Sequence, residues 1–256
     1  MTIKSSDGGF VARLGGAETI VGTWIKTPAP VVCEVLCRTG LDVLVLDAEH
    51  APFGRAELDG CVAIVRALGK PVLIRVPEAT PATILNALDC GADGILVPHV
   101  ITAEDAARAV RNAHHGPGGR GYAGSTRAAE FGGRPLAEQL QRARARTAVI
   151  AQIEDAEALA HVEAVVKVPG LSAVFVGRVD LSVSLGKTSL DDPEVVRAVE
   201  AIVRAARGAG LPVGMFVANL AEIPRWREQG VGFFVLSSDH AFLQAGAKSL
   251  LATFGR

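Results

Sequence analysis

Asp47, Glu49 and His50 close the run DVLVLDAEHAPF, placing three groups able to move protons or hold a metal ion at the tip of an otherwise apolar stretch. The pattern recurs along the chain. LIRVP carries Arg75, AQIED carries Gln152 and Glu154, and GRVDLS carries Arg178 and Asp180, each at the same end of its own apolar run. Two carboxylates without a nearby Cys or a pair of His form an oxygen-rich site of the kind that takes Mg²⁺ or Mn²⁺, with zinc less natural. A dication chelated by the carboxylate and keto oxygen of a 2-oxo acid would stabilise an enolate, and Arg75 beside that oxygen would add a second positive charge. His50 would then shuttle the proton of a substrate hydroxyl, with an acidic neighbour fixing its tautomer.

Each residue also has a plainer explanation. Asp and Glu after a strand often only cap the next helix, and a single His is more often a satisfied surface or core residue. Arg75 resists this treatment, because an arginine in a strand tip needs a carboxylate, a phosphate or a ligand oxygen as partner.

What would bring these tips together is a parallel sheet. Eight runs rich in Val, Ile and Leu alternate with Ala-rich segments of helical length, ending near Lys26, Glu49, Pro77, Val100, Asp155, Asp180, Asn219 and His240. Pro81 opens a helix that closes at Gly91, Thr102 caps another, and Asp192-Pro193 starts one running to Gly210. Eight strand-plus-helix units in 256 residues predict an α/β fold of the closed (β/α)₈ TIM-barrel type as a single domain over 1–256, with an open doubly wound sheet as the alternative. In a parallel barrel the catalytic groups come from the carboxyl ends of different strands. The Gly-rich stretch 114–135, HHGPGGRGYAGSTRAAEFGGRP, follows a helix and so starts on the other face, where an oligomer interface is the expected role.

Composition excludes several classes. Apolar residues make up 49% of the chain, aromatics only 5%, which suits strands covered on both faces. A net charge of −1 provides no field to gather nucleic acid or an anionic membrane. Cys33, Cys37, Cys61 and Cys90 match neither a metal-binding spacing nor a disulfide framework and read as buried thiols. Residues 1–12 lack the apolar core of a signal peptide, and no run is long enough to span a membrane, so a cytoplasmic location is expected.

DAEHAPF, LIRVP, LDCGADGILVPHVITAEDAARAV, GPGGRGY, AQIED and VFVGRVDLSVSLG occur in the order found in the HpcH/HpaI family of metal-dependent class II pyruvate aldolases, which the chain resembles over nearly its whole length. The resemblance implies a barrel, usually hexameric, that makes or breaks a carbon–carbon bond next to a pyruvate enolate, with a 2-oxo acid and an aldehyde as small-molecule partners. It implies Glu154 and Asp180 as ligands of Mg²⁺ or Mn²⁺, Arg75 as the group holding the keto or enolate oxygen, and His50 as the acid–base residue, supported by Asp47 and Asp89. It places Gln152 beside the pyruvate, the backbone from Gly177 to Val179 against the substrate carboxylate, and Trp24 on the aldehyde side. Asp89 falls at a helix end, on the face away from the other residues, so either a neighbouring subunit supplies it or the helix is shorter than the pattern predicts. Arg120, Tyr122, Ser125 and Arg127 in the long loop would likewise reach a neighbour's pocket.

The chain departs from the family where Gly-Pro commonly precedes the xDLS motif: it has Gly177-Arg178. The added cation would bind a second substrate carboxylate or pair with an acid of the chain itself. Together with the arginine-bearing loop this motivates an alternative activity, decarboxylation of oxaloacetate or condensation with another acid as in citrate-forming relatives of siderophore pathways. A third reading is a barrel that binds an organic acid without catalysis. His99, Asp239 and His240 are further polar strand-tip residues, expected to be supporting or structural.

Overall fold

A computed structural model describes residues 9–255, so the part of the N-terminal reading that concerns residues 1–8 lies outside the described residues. Eight strands, β1 (Ile20–Ile25), β2 (Val43–Asp47), β3 (Val72–Arg75), β4 (Gly94–Val97), β5 (Ala148–Ile153), β6 (Ala173–Val176), β7 (Val213–Val217) and β8 (Phe233–Ser238), pair in parallel and close when β8 meets β1. This is the (β/α)₈ barrel expected from the alternation, and the open-sheet alternative is excluded. Each strand stops short of the expected run end, so that Asp47, Arg75 and Gln152 lie at the carboxyl ends of their strands, Lys26, Glu49 and Glu154 just beyond theirs, and Asp180 in the helix after β6.

The helices are α1 (Gly9–Leu14), α2 (Pro30–Cys37), α3 (Arg55–Ala67), α4 (Pro81–Asp89), α5 (Ala103–Ala113), α6 (Leu136–Arg146), α7 (Val162–Val165), α8 (Arg178–Ser184), α9 (Pro193–Gly208), α10 (Ile223–Glu228) and α11 (Asp239–Phe254). Three begin where capping chemistry predicts. Thr80 accepts the Thr83 N–H ahead of Pro81, Thr102 and Asp105 form a reciprocal capping box, and Asp192 accepts the Glu194 N–H. The short α8, directly after β6, was not expected from the sequence.

Strand parity sorts the side chains. Leu44, Leu46, Ile74, Ile95 and Val149 belong to the outer core beneath the helices, together with the four buried cysteines. Their neighbours Ile20, Trp24, Val43, Val45, Leu73, Leu96, Ile150 and Phe175 fill the barrel, and Phe10 of α1 packs edge-on against Phe233. Continuing the inward parity past the last apolar layer gives Lys26, Asp47, Glu49, Arg75, Gln152 and Glu154.

One element does not pack as a barrel helix should. Within α11 only Asp239 is buried, while Leu243, Leu250 and Phe254 stand 68%, 74% and 78% exposed. Val31 and Val35 of α2 are also exposed and line an apolar cleft with Phe242 and Leu243. No helix among the described residues is long and apolar enough to cross a membrane.

Candidate active site

Arg75 is the centre of the carboxyl rim. Its Nε donates to Asp47 Oδ1 at 3.0 Å, Nη2 lies 2.8 Å from the same oxygen, and Nη1 lies 3.1 Å from Glu49 Oε2. The guanidinium lies over Trp24, 4.3 Å from the ring centroid, and Trp24 meets Phe175 edge-on. Asp47 is fully buried and also faces Lys26 Nζ at 3.1 Å. Burial alone would raise its pKa. The Arg75 charge, the His50 backbone N–H and Lys26 outweigh that and hold the carboxyl below its ordinary range. Lys26 is itself fixed from below, since Asp239 accepts the backbone N–H groups of Lys26 and Thr27 at 2.9 Å each.

Glu154 is 1% exposed and takes its place through three neighbours. Oε1 accepts the His99 backbone N–H at 3.0 Å, Oε2 accepts a short bond from Gln152 Nε2, and Gly177 lies directly against the carboxylate. A Cβ at Gly177 would fall 2.5 Å from Glu154 Oε2 and 2.7 Å from its Cβ, so only glycine permits this approach. Gly177→Ala is therefore expected to cost about 1–3 kcal/mol of stability and to displace the Glu154 carboxylate. Thermal melting with and without a dication checks this: the variant should melt lower and gain less from the ion.

Burial pushes the pKa of Glu154 above its ordinary value, with Asp180 adding repulsion against the opposing Gln152 and His99 bonds. Glu49 is raised in the same way, by burial first, with Arg75 and His99 opposing and Asp47 and Asp180 adding to it. Carboxylates crowded at one rim, two of them raised in pKa chiefly by burial, suit a dication. Gln152 Oε1, buried and without a hydrogen-bond partner, fits the same picture.

The rim encloses a cavity of about 500 Å³ lined by Trp24, Lys26, His50, Arg75, Gln152, Gly177, Arg178, Val179 and Asp180. The sequence thus identified most of the lining, with Asp47 and Glu154 buried behind it. A larger cavity of about 740 Å³ opens at the other rim around His114, His115 and Arg144. It holds none of the strand tips, so we place the chemistry in the smaller one.

One expected contact differs from the structure, while Asp89 and the long loop lie on the far rim, as their positions at and after a helix end predict. Asp47 accepts the backbone N–H of His50, at 3.1 Å, and not its ring. The nearest acid to the His50 ring is Glu49, with Oε2 3.7 Å from Nε2, so no carboxylate of the described residues fixes its tautomer by a hydrogen bond. Asp89 ends α4 on the far rim among Arg120, Arg55 and His115, where burial raises its pKa against those charges. Arg120 bonds His115 and Arg127 pairs with Asp59, both on that rim and away from the cavity of their own chain. Arg178 is 3% exposed, pairs with Glu222 at 2.6 Å and lies over Trp226, which leaves it little freedom for a second substrate carboxylate.

Three residues matter more than sequence reasoning allowed. Glu49 and Lys26 both carry inward parity, a signal that could have ranked them with Asp47. His99 was set aside as supporting, yet one ligand atom each from Glu49, His99 and Glu154 lie within 4.8 Å of one another, an arrangement able to hold a metal.

The family described as HpcH/HpaI aldolase/citrate lyase matches residues 21–244. The chain is 34% identical to a 5-keto-4-deoxy-D-glucarate aldolase of Klebsiella pneumoniae subsp. pneumoniae, over 96% of both proteins. It is 32% identical to a hydroxypyruvate/pyruvate aldolase of Paraburkholderia phytofirmans, over 94% of this chain and 95% of that one. The crystal structure of an HpcH/HpaI aldolase/citrate lyase family protein from Burkholderia cenocepacia superposes with a TM-score of 0.91 at 34% identity, covering 96% of this chain and 98% of the other.

Proposed function

The chain belongs to the HpcH/HpaI aldolase/citrate lyase family, and from that premise we propose that it cleaves and forms 4-hydroxy-2-oxo acids through the enolate of pyruvate. The observation that carries the proposal is Arg75, which lines the cavity and is held by Asp47, Glu49 and Trp24, with the Glu49 carboxylate close to that of Glu154. In the cleavage direction His50 takes the proton of the substrate hydroxyl, the bond between C3 and C4 breaks, and the aldehyde leaves. The electron pair moves onto the keto oxygen facing Arg75, and a proton returned to C3 completes pyruvate.

Glu154 and Asp180 are the residues we assign to hold Mg²⁺ or Mn²⁺, which when bound supplies a second positive charge for the enolate oxygen. Gln152 and the backbone from Gly177 to Val179 orient the pyruvate portion, and Trp24 bounds the aldehyde side. Asp89 and Arg120 serve the cavity of a neighbouring subunit in this reading, because in their own chain they lie on the far rim. Incubation of the protein with pyruvate, an aldehyde and Mn²⁺ should give the aldol product, lost on chelation and restored by the ion. Undiminished turnover without metal would sink the metal-dependent mechanism.

We also propose a cytoplasmic homo-oligomer, a hexamer by family resemblance. The apolar side chains that α11 and α2 leave uncovered support self-association. Sedimentation at micromolar concentration should show an assembly, and a single-chain species would contradict it. The polycarboxylate alternative draws on Arg178 and the arginine-bearing loop, and it is less supported because Arg178 pairs with Glu222 at 2.6 Å while Arg120 and Arg127 lie on the far rim. A non-catalytic barrel gives no account of the buried Arg75 and its two acids beside a cavity.

A further inference from the structure

β4 ends on Leu96, which points into the barrel, and Val97, which points out. Simple alternation would send residue 99 outward. His99 instead adopts φ 53°, a left-handed conformation uncommon for histidine. Its backbone N–H meets Glu154 Oε1 at 3.0 Å and its ring turns over the acids of the rim. Nδ1 lies 3.1 Å from Asp155 Oδ2, and Nε2 lies 3.7 Å from Glu49 Oε1.

This is the arrangement in which a carboxylate takes the Nδ1 proton and leaves the Nε2 lone pair free for a metal. Glu49, 8% exposed at its side chain, lies on the Nε2 side, Glu154 Oε1 lies 3.6 Å from Nδ1, and one ligand atom from each of the three residues lies within 4.8 Å of the others. Beside them Gln152, 1% exposed, keeps an Oε1 with no hydrogen-bond partner. We propose that His99 Nε2 is a ligand of the dication bound at Glu154, joined by Glu49, and that this nitrogen donor tilts the site toward borderline ions such as Co²⁺, Ni²⁺ and Zn²⁺ and away from Mg²⁺. Imidazole suits those ions, whereas Mg²⁺ is held by oxygen ligands. The inference rests on the metal-site reading above and corrects the expectation of an all-oxygen set.

The test uses the metal-free full-length protein in its native assembly, titrated with Co²⁺ and with Mg²⁺ by calorimetry. His99→Asn is the informative variant, because asparagine tolerates the left-handed backbone and preserves the N–H to Glu154. It should weaken Co²⁺ binding by about tenfold or more while changing Mg²⁺ binding by less than about threefold; Asp155→Asn should weaken Co²⁺ about tenfold. Wild-type protein loaded with Mn²⁺ should show imidazole nitrogen coupling in pulsed electron paramagnetic resonance, a readout that needs no variant to fold. Absence of that coupling, an unchanged Co²⁺ to Mg²⁺ affinity ratio in His99→Asn, or equal loss of both ions would overturn the proposal. Failure of the aldol assay with His99-dependent Co²⁺ binding intact would count against the activity alone.

Discussion

Glu154→Gln is expected to lower dication-dependent aldol turnover by about 10³-fold while the metal-free protein melts at or above the wild-type temperature. The two effects have one cause. Glu154 is buried, repelled by Asp180 and raised in pKa, so in the metal-free fold its ionised form is a destabilising group that only a dication relieves. The substituted amide can keep both local contacts: one oxygen still accepts the His99 N–H, and its NH₂ can donate to Gln152 once that side chain turns its unpartnered oxygen inward.

The sign of the pH dependence follows. A carboxyl raised in the folded state binds its proton more tightly there than in the unfolded chain. The stability penalty is therefore absent below the ordinary value of 4.5 and grows as pH rises through the elevated one. The melting advantage of the variant should accordingly vanish in acid and be largest at neutral pH. Melting curves at pH 4 and 7 without metal, paired with turnover at saturating Mn²⁺, check both halves. Turnover within about tenfold of wild type would remove Glu154 from the metal site.

How much of this was legible in the sequence depends on whether a residue obeys its strand. Asp47, Arg75 and Gln152 obey the period of two, so the alternation along each run is enough to place them on one rim. Asp89 was legible too, since a residue ending a helix of a parallel barrel belongs to the opposite rim, and there it lies with Arg120. His99 was not, because one left-handed residue reverses the direction that alternation assigns. Nor was the fate of Arg178, whose partner Glu222 arrives from beyond β7 in a turn that the local pattern does not connect to it. The relation of His50 to Asp47 failed for a subtler reason. Three-residue spacing predicts proximity, but the turn after β2 spends that proximity on the backbone N–H and leaves the ring free. The exposed apolar residues of α11 had the composition of a packed helix, and composition does not say whose core they pack into.

Arg75 offers the second large effect, and here charge and geometry can be separated. Its nitrogens reach Asp47 and Glu49 in a planar fork while the same plane stacks on Trp24. Lysine can supply the charge but neither the fork nor the stacking. Arg75→Lys should leave the chain folded, yet lower turnover by about 10²-fold, because one ammonium cannot hold Asp47 and Glu49 and also face the enolate oxygen. Arg75→Ala removes the charge altogether and strands two buried carboxylates, at a cost of about 3–5 kcal/mol. For Asp47, whose pKa the arginine holds down, the stabilisation is present above the ordinary carboxylate range and is lost as pH falls through the lowered value. Unpaired, the same acid regains stability on protonation, so the gap between wild type and Arg75→Ala should be widest near neutral pH and narrow in acid. Adding Asp47→Asn to Arg75→Ala should recover part of the stability at pH 7 without recovering turnover, a non-additivity read directly by a double-mutant cycle. Equal stability losses for Arg75→Lys and Arg75→Ala, or additive effects in the cycle, would show that the guanidinium contributes through packing on Trp24 and not through the acids it joins.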